Sequence, residues 1–172
     1  MLVNRASNET MENYSSFVSQ VSKNMIDLVN ANSQGYFNSI LHTQFQKPGK
    51  MIRIYLAYRL GSLLGTPVDQ LAAWASACEL FHNATLIHDD LQDRDTHRRG
   101  KLSFWAQHGE KQAINAGDFL MLSALQPVLL SSIPSHLKVK LSMMYSQMSC
   151  KIANGQSLEF EMNESESPAQ LY

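Results

Sequence analysis

The chain has 172 residues, 44% of them hydrophobic, and sets 14 Lys and Arg against 15 Asp and Glu for a formal net charge of −1. That length and apolar content suit one domain with a substantial core. So even a charge balance excludes an overall field suited to nucleic acid or an anionic membrane.

The elements are read in chain order from apolar spacing. The N-terminus, MLVNRASNETMENYSS, has no apolar run of a signal peptide, and no stretch is expected to reach the ~20 apolar residues of a spanning helix. Helical spacing predicts helices over about 11–31 and 34–45, a turn at Lys47-Pro48-Gly49, and a helix over about 50–64 ending at Gly65. Thr66-Pro67-x-Asp69 reads as the next N-terminus: a cap, Pro at the first position, and an acid three residues after the cap. That helix is predicted over 68–93. A polar loop around Gly100 covers 95–104, a helix with a break near Pro127 covers 107–131, and another runs from Pro134 to about 162. Strand signals and repeats are absent, so the fold class is all-α, one domain over 1–172. Cys78 and Cys150 form neither a disulfide framework nor a metal-ligand spacing; both fall in apolar helical patterns and read as core thiols. Asn-x-Ser/Thr triplets at Asn8, Asn13, Asn83 and Asn163 read as chance matches in a cytosolic chain.

One stretch, L-I-H-D-D-L-Q-D-R-D-T-H-R-R over 86–99, concentrates opposed charge. Leu71, Trp74, Ala75, Cys78, His82, Thr85, Leu86 and Asp89 follow helical spacing and make an apolar stripe that ends in a carboxylate. Asp89 and Asp93 are i, i+4 on one face, and Asp90 is offset by about 100°. Carboxylates this close repel unless a cation lies between them. Mg²⁺ takes one or two carboxylates and fills its remaining positions with water and phosphate oxygens. Arg98 and Arg99 then suit the same phosphates as guanidinium forks. The plainer reading is a solvated helix end with pairs such as Asp90–Arg94. Lys50 and Arg53, i, i+3 after the Pro-Gly turn, suit a second anion site or an ordinary exposed basic turn. His82, on the stripe, suits either that site or a satisfied core position.

The constellation resembles the trans-type isoprenyl diphosphate synthases. The resemblance rests on Gly49-Lys50-x-x-Arg53, His82-x-Ala84-Thr85-Leu86-Ile87-His88-Asp89-Asp90-x-x-Asp93, Arg98-Arg99-Gly100, Trp105-x-x-x-Gly109, Ala113-Ile114-Asn115-x-Gly117-Asp118 and Gly155-Gln156. It implies a helical bundle around a central apolar cavity, most like the synthases of geranylgeranyl and longer chains. It implies head-to-tail condensation of isopentenyl diphosphate with an allylic diphosphate. Asp89, Asp90 and Asp93 would hold Mg²⁺, one side of a family cluster of three. Arg98 and Gln156 would meet the allylic diphosphate, and Lys50, Arg53, His82 and Arg99 the isopentenyl diphosphate. Positions four and five before the first aspartate act as a ruler in this family. Here they are Thr85 and Ala84, both small, so a product of C20 or longer is expected, with Phe81 as the next plug. A floor around Phe119–Leu122 is the alternative. Asn115 and Asp118 read as ties between helices, and Asp95 as solvent-facing. Relatives are mostly dimers, and the apolar 107–131 segment needs cover by the domain or a twin.

Several positions depart from the family pattern. Glu159 stands where many relatives have Asp, Ile54 where many have Pro, and Lys101-Leu102-Ser103 follows Gly100 in place of x-Pro-Thr. The family's second aspartate-rich motif and the Lys-Thr pair before it do not occur in these 172 residues. The chain is therefore expected to be inactive by itself, as part of a longer synthase, as a subunit of a full-length one, or to borrow residues across an oligomer. A class I terpene cyclase is the other enzyme reading. It needs only one diphosphate site and leaves Lys50, Arg53, His82 and Arg99 without a role.

Overall fold

The computed structural model describes residues 2–45 and 51–166. In order these form α1 (Leu2–Asn32), α2 (Gly35–Phe45), α3 (Ile52–Leu63), α4 (Val68–Gln92), β1 (His97–Arg98), β2 (Lys101–Leu102), α5 (Phe104–His108), α6 (Glu110–Ser123), α7 (Gln126–Leu130) and α8 (Ser135–Glu166). The fold class is all-α, as expected. The one domain read from the sequence divides into two compact units, residues 1–132 and 133–172.

In the first unit α4 is the hub, packed most extensively on α6 and then on α1 and α3. Its composition explains this. Ala72, Ala73, Ala75, Ser76, Ala77 and Ala84 are buried, and small side chains let several helices approach closely. Leu80 and Ile87 on α4 and Leu120 on α6 are among the largest fully buried side chains. From α1, Phe17, Val21, Met25, Leu28 and Val29 present the i, i+4 face that helical spacing predicts. Ser76 is the polar residue at this seam. Its hydroxyl donates to the Ala72 carbonyl at 2.7 Å and accepts from Asn24 Nδ2 at 3.2 Å. Gly117 brings α6 onto α4 so tightly that a Cβ there would stand 2.1 Å from His88 Nε2.

Several expectations change. The stripe along α4 has the right period, but the most deeply buried positions include Ala73, Ser76, Ala77, Leu80, Ala84 and Ile87. Trp74, Cys78, His82, Thr85, Leu86 and Asp89 are only half-buried. The N-cap of α4 is Pro67, not Thr66, and it has no side-chain cap. The 95–104 loop contains the antiparallel pair β1–β2, with His97 opposite Leu102 and Arg98 opposite Lys101. The predicted 107–131 helix is three: α5 ends at Gly109 with φ 88°, and the break after α6 falls at Ala124–Leu125, with Pro127 in the first turn of α7. Contrary to the expectation of no spanning stretch, Glu110–Leu130 is long and apolar enough to cross a membrane by length and composition. Its interruption, and the burial of Ala113, Ala116, Gly117 and Leu120, instead mark it as a core segment.

The second unit is α8 with its lead-in. Pro134 supplies the carbonyl for the first turn, accepting from Leu137 N at 2.9 Å and Lys138 N at 3.0 Å. Most described side chains of α8 are exposed, including Leu137, Val139, Met143, Met144, Ile152 and Met162. Cys150 is exposed with them and Cys78 is half-buried, so neither is the core thiol expected. An apolar period locates a face; it does not supply the neighbour that buries it.

Candidate functional site

A cleft of about 460 Å³ opens between α1, the end of α2, the start of α3, α4 and the β1–β2 turn. Its apolar side comes from Met25, Ile26, Phe45 and Leu86, and its polar side from Gln44, Arg53, Glu79, His82, Arg98 and Arg99. Two elements therefore deliver cations to one place, and a third adds an imidazole. Arg53 sits in the first turn of α3, behind Met51, whose φ of 49° turns the chain into the helix. His82 projects from the middle of α4. Arg98 and Arg99 come from the hairpin, where Arg99 and Gly100 have φ of 54° and 74°. Positive φ at both central residues of a two-residue loop is the type I′ requirement. Gly100 meets it freely, whereas Arg99 holds a conformation that costs a side chain about 1 kcal/mol. Such strain is tolerated where the side chain's position is needed.

The electrostatics follow from this crowding. His82 is pulled down to about 4, first by burial and then by Arg53, Arg99 and Arg98, against the pull of Asp89. It is a neutral imidazole at pH 7, able to donate one N–H to an anion. Asp90 is almost fully buried and accepts from Arg98 Nε at 2.6 Å. Burial pushes its carboxyl up, and Arg98 opposes that rise. Asp90 thus fixes Arg98 at the rim. The alternative pair Asp90–Arg94 does not form. Arg94, with φ 58°, reaches Glu110 and lies 5.7 Å over the Trp105 ring.

Asp89 is half-buried and Asp93 exposed, one turn apart at the C-terminal end of α4, with Asp93 N donating to Asp89 O at 2.8 Å. Among the described residues no three His, Cys, Asp or Glu side chains come together as a metal cage. The donor set fits Mg²⁺ nonetheless. That ion uses one or two carboxylates and completes its shell with water and phosphate. A helix C-terminus adds partial negative charge to the same end.

The other predicted residues fall as follows. Lys50 lies outside the described residues. Ala84 is fully buried, Phe81 is buried, and Thr85 is half-buried with its hydroxyl on the His82 carbonyl at 2.9 Å. Gln156 is half-buried and Glu159 exposed on α8. Asp118 does join α6 to α4, with Oδ1 3.5 Å from His88 Nε2, and Asp95 is exposed. Phe119 meets Phe37 edge-on at 5.6 Å, and Leu122 is exposed. The sequence reading missed Glu79, Gln44 and Asn83. Gln44 Nε2 donates to Asn83 Oδ1 at 3.1 Å, and Asn83 Nδ2 to the Glu79 carbonyl at 2.8 Å, tying α2 to the cleft wall. Glu79 stands i, i+3 from His82, a spacing that could have flagged it.

A family model described as polyprenyl synthetase matches residues 34–171. The short chain isoprenyl diphosphate synthase of Methanocaldococcus jannaschii is 36% identical over 126 residues, covering 73% of this chain and 38% of that protein. The geranylgeranyl diphosphate synthase of Mycobacterium tuberculosis is 33% identical over 116 residues, covering 67% and 33%. Among solved structures, geranylgeranyl pyrophosphate synthetase from Geoglobus acetivorans superposes with a TM-score of 0.79 at 25% identity, covering 91% of this chain and 51% of that one. Polyprenyl synthase from Caulobacter crescentus, complexed with calcium and isoprenyl diphosphate, gives 0.74 at 25% identity, covering 85% and 43%. The chain spans well under half the length of these curated relatives.

Proposed function

This chain belongs to the polyprenyl synthetase family, and on that premise we propose that it serves the Mg²⁺-dependent, head-to-tail condensation of isopentenyl diphosphate with an allylic diphosphate. The product is a trans-polyprenyl diphosphate of C20 or longer. The observation that carries this reading is the convergence of Arg53, His82, Arg98 and Arg99 on one cleft beside the helix that ends in Asp89 and Asp93.

Arg53, Arg99 and neutral His82 bind the isopentenyl diphosphate through charge-assisted and neutral hydrogen bonds, with Lys50 as a further cation. Asp89 and Asp93 would hold Mg²⁺, whereas Asp90, expected as a third ligand, is buried against Arg98 instead. Arg98, fixed by Asp90, faces the allylic diphosphate. When bound, Mg²⁺ neutralises the leaving diphosphate and so favours ionisation of the carbon–oxygen bond. The homoallylic double bond then attacks the allylic cation, and the released diphosphate takes the proton whose loss completes the product. The small Thr85 and Ala84, with Phe81 one turn below, are the proposed ruler for a long hydrocarbon. The solved relative with calcium and isoprenyl diphosphate supports a divalent cation and this substrate class. A cytoplasmic homodimer is the proposed setting.

A class I terpene cyclase has no use for a second anion cleft, so the convergence of Arg53, His82 and Arg99 favours the synthase. The test is titration of the 172-residue chain with isopentenyl diphosphate, followed by turnover assays with labelled isopentenyl diphosphate and farnesyl diphosphate. We expect saturable binding without turnover by these residues alone. Failure to bind isopentenyl diphosphate, with cyclisation of an allylic diphosphate alone, would overturn the synthase reading.

A further inference from the structure

Glu79 is an acid in a cleft built for anions, and the function above gives it no role. It lies on α4 one turn before His82 and lines the same cleft as Arg53 and Arg99. Its Oε1 is buried and has no hydrogen-bond partner among the described residues. A buried acceptor left unpaired is costly, and a carboxylate facing a diphosphate repels it.

The groups around Glu79 come from four elements. Arg53 on α3 and Arg99 on the hairpin turn favour its ionised form, but burial outweighs them and pushes the carboxyl up. Tyr14 on α1, edge-on to Tyr55 of α3 at 5.6 Å, is itself raised, in part by Glu79. On α4, Cys78 is pushed up to about 11 and His82 is held down at about 4. Tyr14, Cys78 and His82 are therefore all neutral near pH 7, which leaves Glu79 set against two guanidinium groups. Those same two groups are the ones a diphosphate claims.

We infer that Glu79 is a proton-coupled binding residue of this cleft: the counter-anion of Arg53 and Arg99 when the cleft is empty, and a protonated hydrogen-bond donor once a diphosphate takes that place. The balance is one proton from solvent onto the carboxylate, with no other bond made or broken. Protonation removes the repulsion and gives Glu79 a hydrogen to share with a phosphate oxygen. Binding then takes up protons, so it tightens as pH falls through the empty-cleft range of Glu79. This rests on the reading of the cleft as a diphosphate site.

The experiment is calorimetric titration of the 172-residue chain with inorganic pyrophosphate, without Mg²⁺, in buffers of different ionisation enthalpy at pH 8. Wild type should show net proton uptake, counted beyond the proton that partly protonated pyrophosphate itself gives up. Glu79→Gln, which mimics the protonated side chain, should lose that uptake and bind about tenfold more tightly, while His82→Gln should keep it. Infrared difference spectra of the wild-type chain should gain a protonated-carboxyl band on adding pyrophosphate, a readout that needs no variant. Binding without uptake, uptake that survives Glu79→Gln, or weaker binding by that variant would each overturn the inference and leave the cleft reading intact. Absence of pyrophosphate binding would overturn both.

Discussion

Arg53 and Arg99 reach one cleft from positions 46 residues apart in the chain, and the value of each lies in charge-assisted hydrogen bonds worth about 1.5–3 kcal/mol. Arg99→Ala should therefore weaken isopentenyl diphosphate binding by about 10–100-fold, read by direct titration. His82 yields a second expectation, in stability. Its folded value of about 4 lies below its ordinary 6.5, so the unfolded chain takes the proton first. The stability it contributes is complete above pH 6.5 and is lost as pH falls toward 4. Denaturant unfolding of His82→Gln should show a flatter dependence across that window than wild type. At this scale the family resemblance singled out Arg53, Arg99 and His82, which the fold brings to one cleft, while their residue types alone left other readings open. The sequence was not readable for Glu79, whose significance comes only from burial beside two guanidiniums, nor for Asp90, whose partner is chosen by the hairpin's shape.

A helix hemmed in on several sides loses the clean amphipathic signal that marks a surface helix, and α4 is such a helix. Its period was legible. Its deepest face was not, because Ala73, Ala77 and Ala84 look unremarkable until α1 and α6 close over them. The hairpin hid for a similar reason. Two-residue strands carry no alternation to read, and Arg99-Gly100 lacks the Asn-Gly signature of its turn type. Phe81, 6% exposed on α4, makes two expectations for one substitution. Phe81→Ala should destabilise the fold by about 3–5 kcal/mol, measured by urea unfolding. In a catalytically competent preparation it should shift products toward longer chains, measured by chromatography of the dephosphorylated prenols. Unchanged products would move the floor to the Phe37–Phe119 pair.

Across the whole molecule, the all-α class was legible because helical spacing recurs through nearly every apolar segment. The division at residue 132 was not, since it depends on which faces find neighbours rather than on which faces exist. Within the first unit, Leu122, Leu129 and Leu130 are exposed, Leu122 and Leu130 by more than four-fifths. Large exposed apolar side chains such as these mark a surface that a neighbour covers. A self-pairing chain should sediment as a dimer at micromolar concentration, and charged substitutions at Leu122 and Leu130 should return it to monomer with its helical content unchanged.

The meeting of Gly117 with the His88 ring bears on which changes the sequence can accept. Position 117 contacts no proposed substrate, yet a single methyl there would strike the residue next to Asp89. In a saturation scan it should be as intolerant as the aspartates themselves, for mechanical rather than chemical reasons. The two cases separate by compensation: trimming the ring with His88→Ala should restore a folded chain to Gly117→Ala, whereas no neighbouring change should restore Mg²⁺ binding to a chain that lacks both Asp89 and Asp93. Shape at one position and charge at the next would then be inherited as a pair.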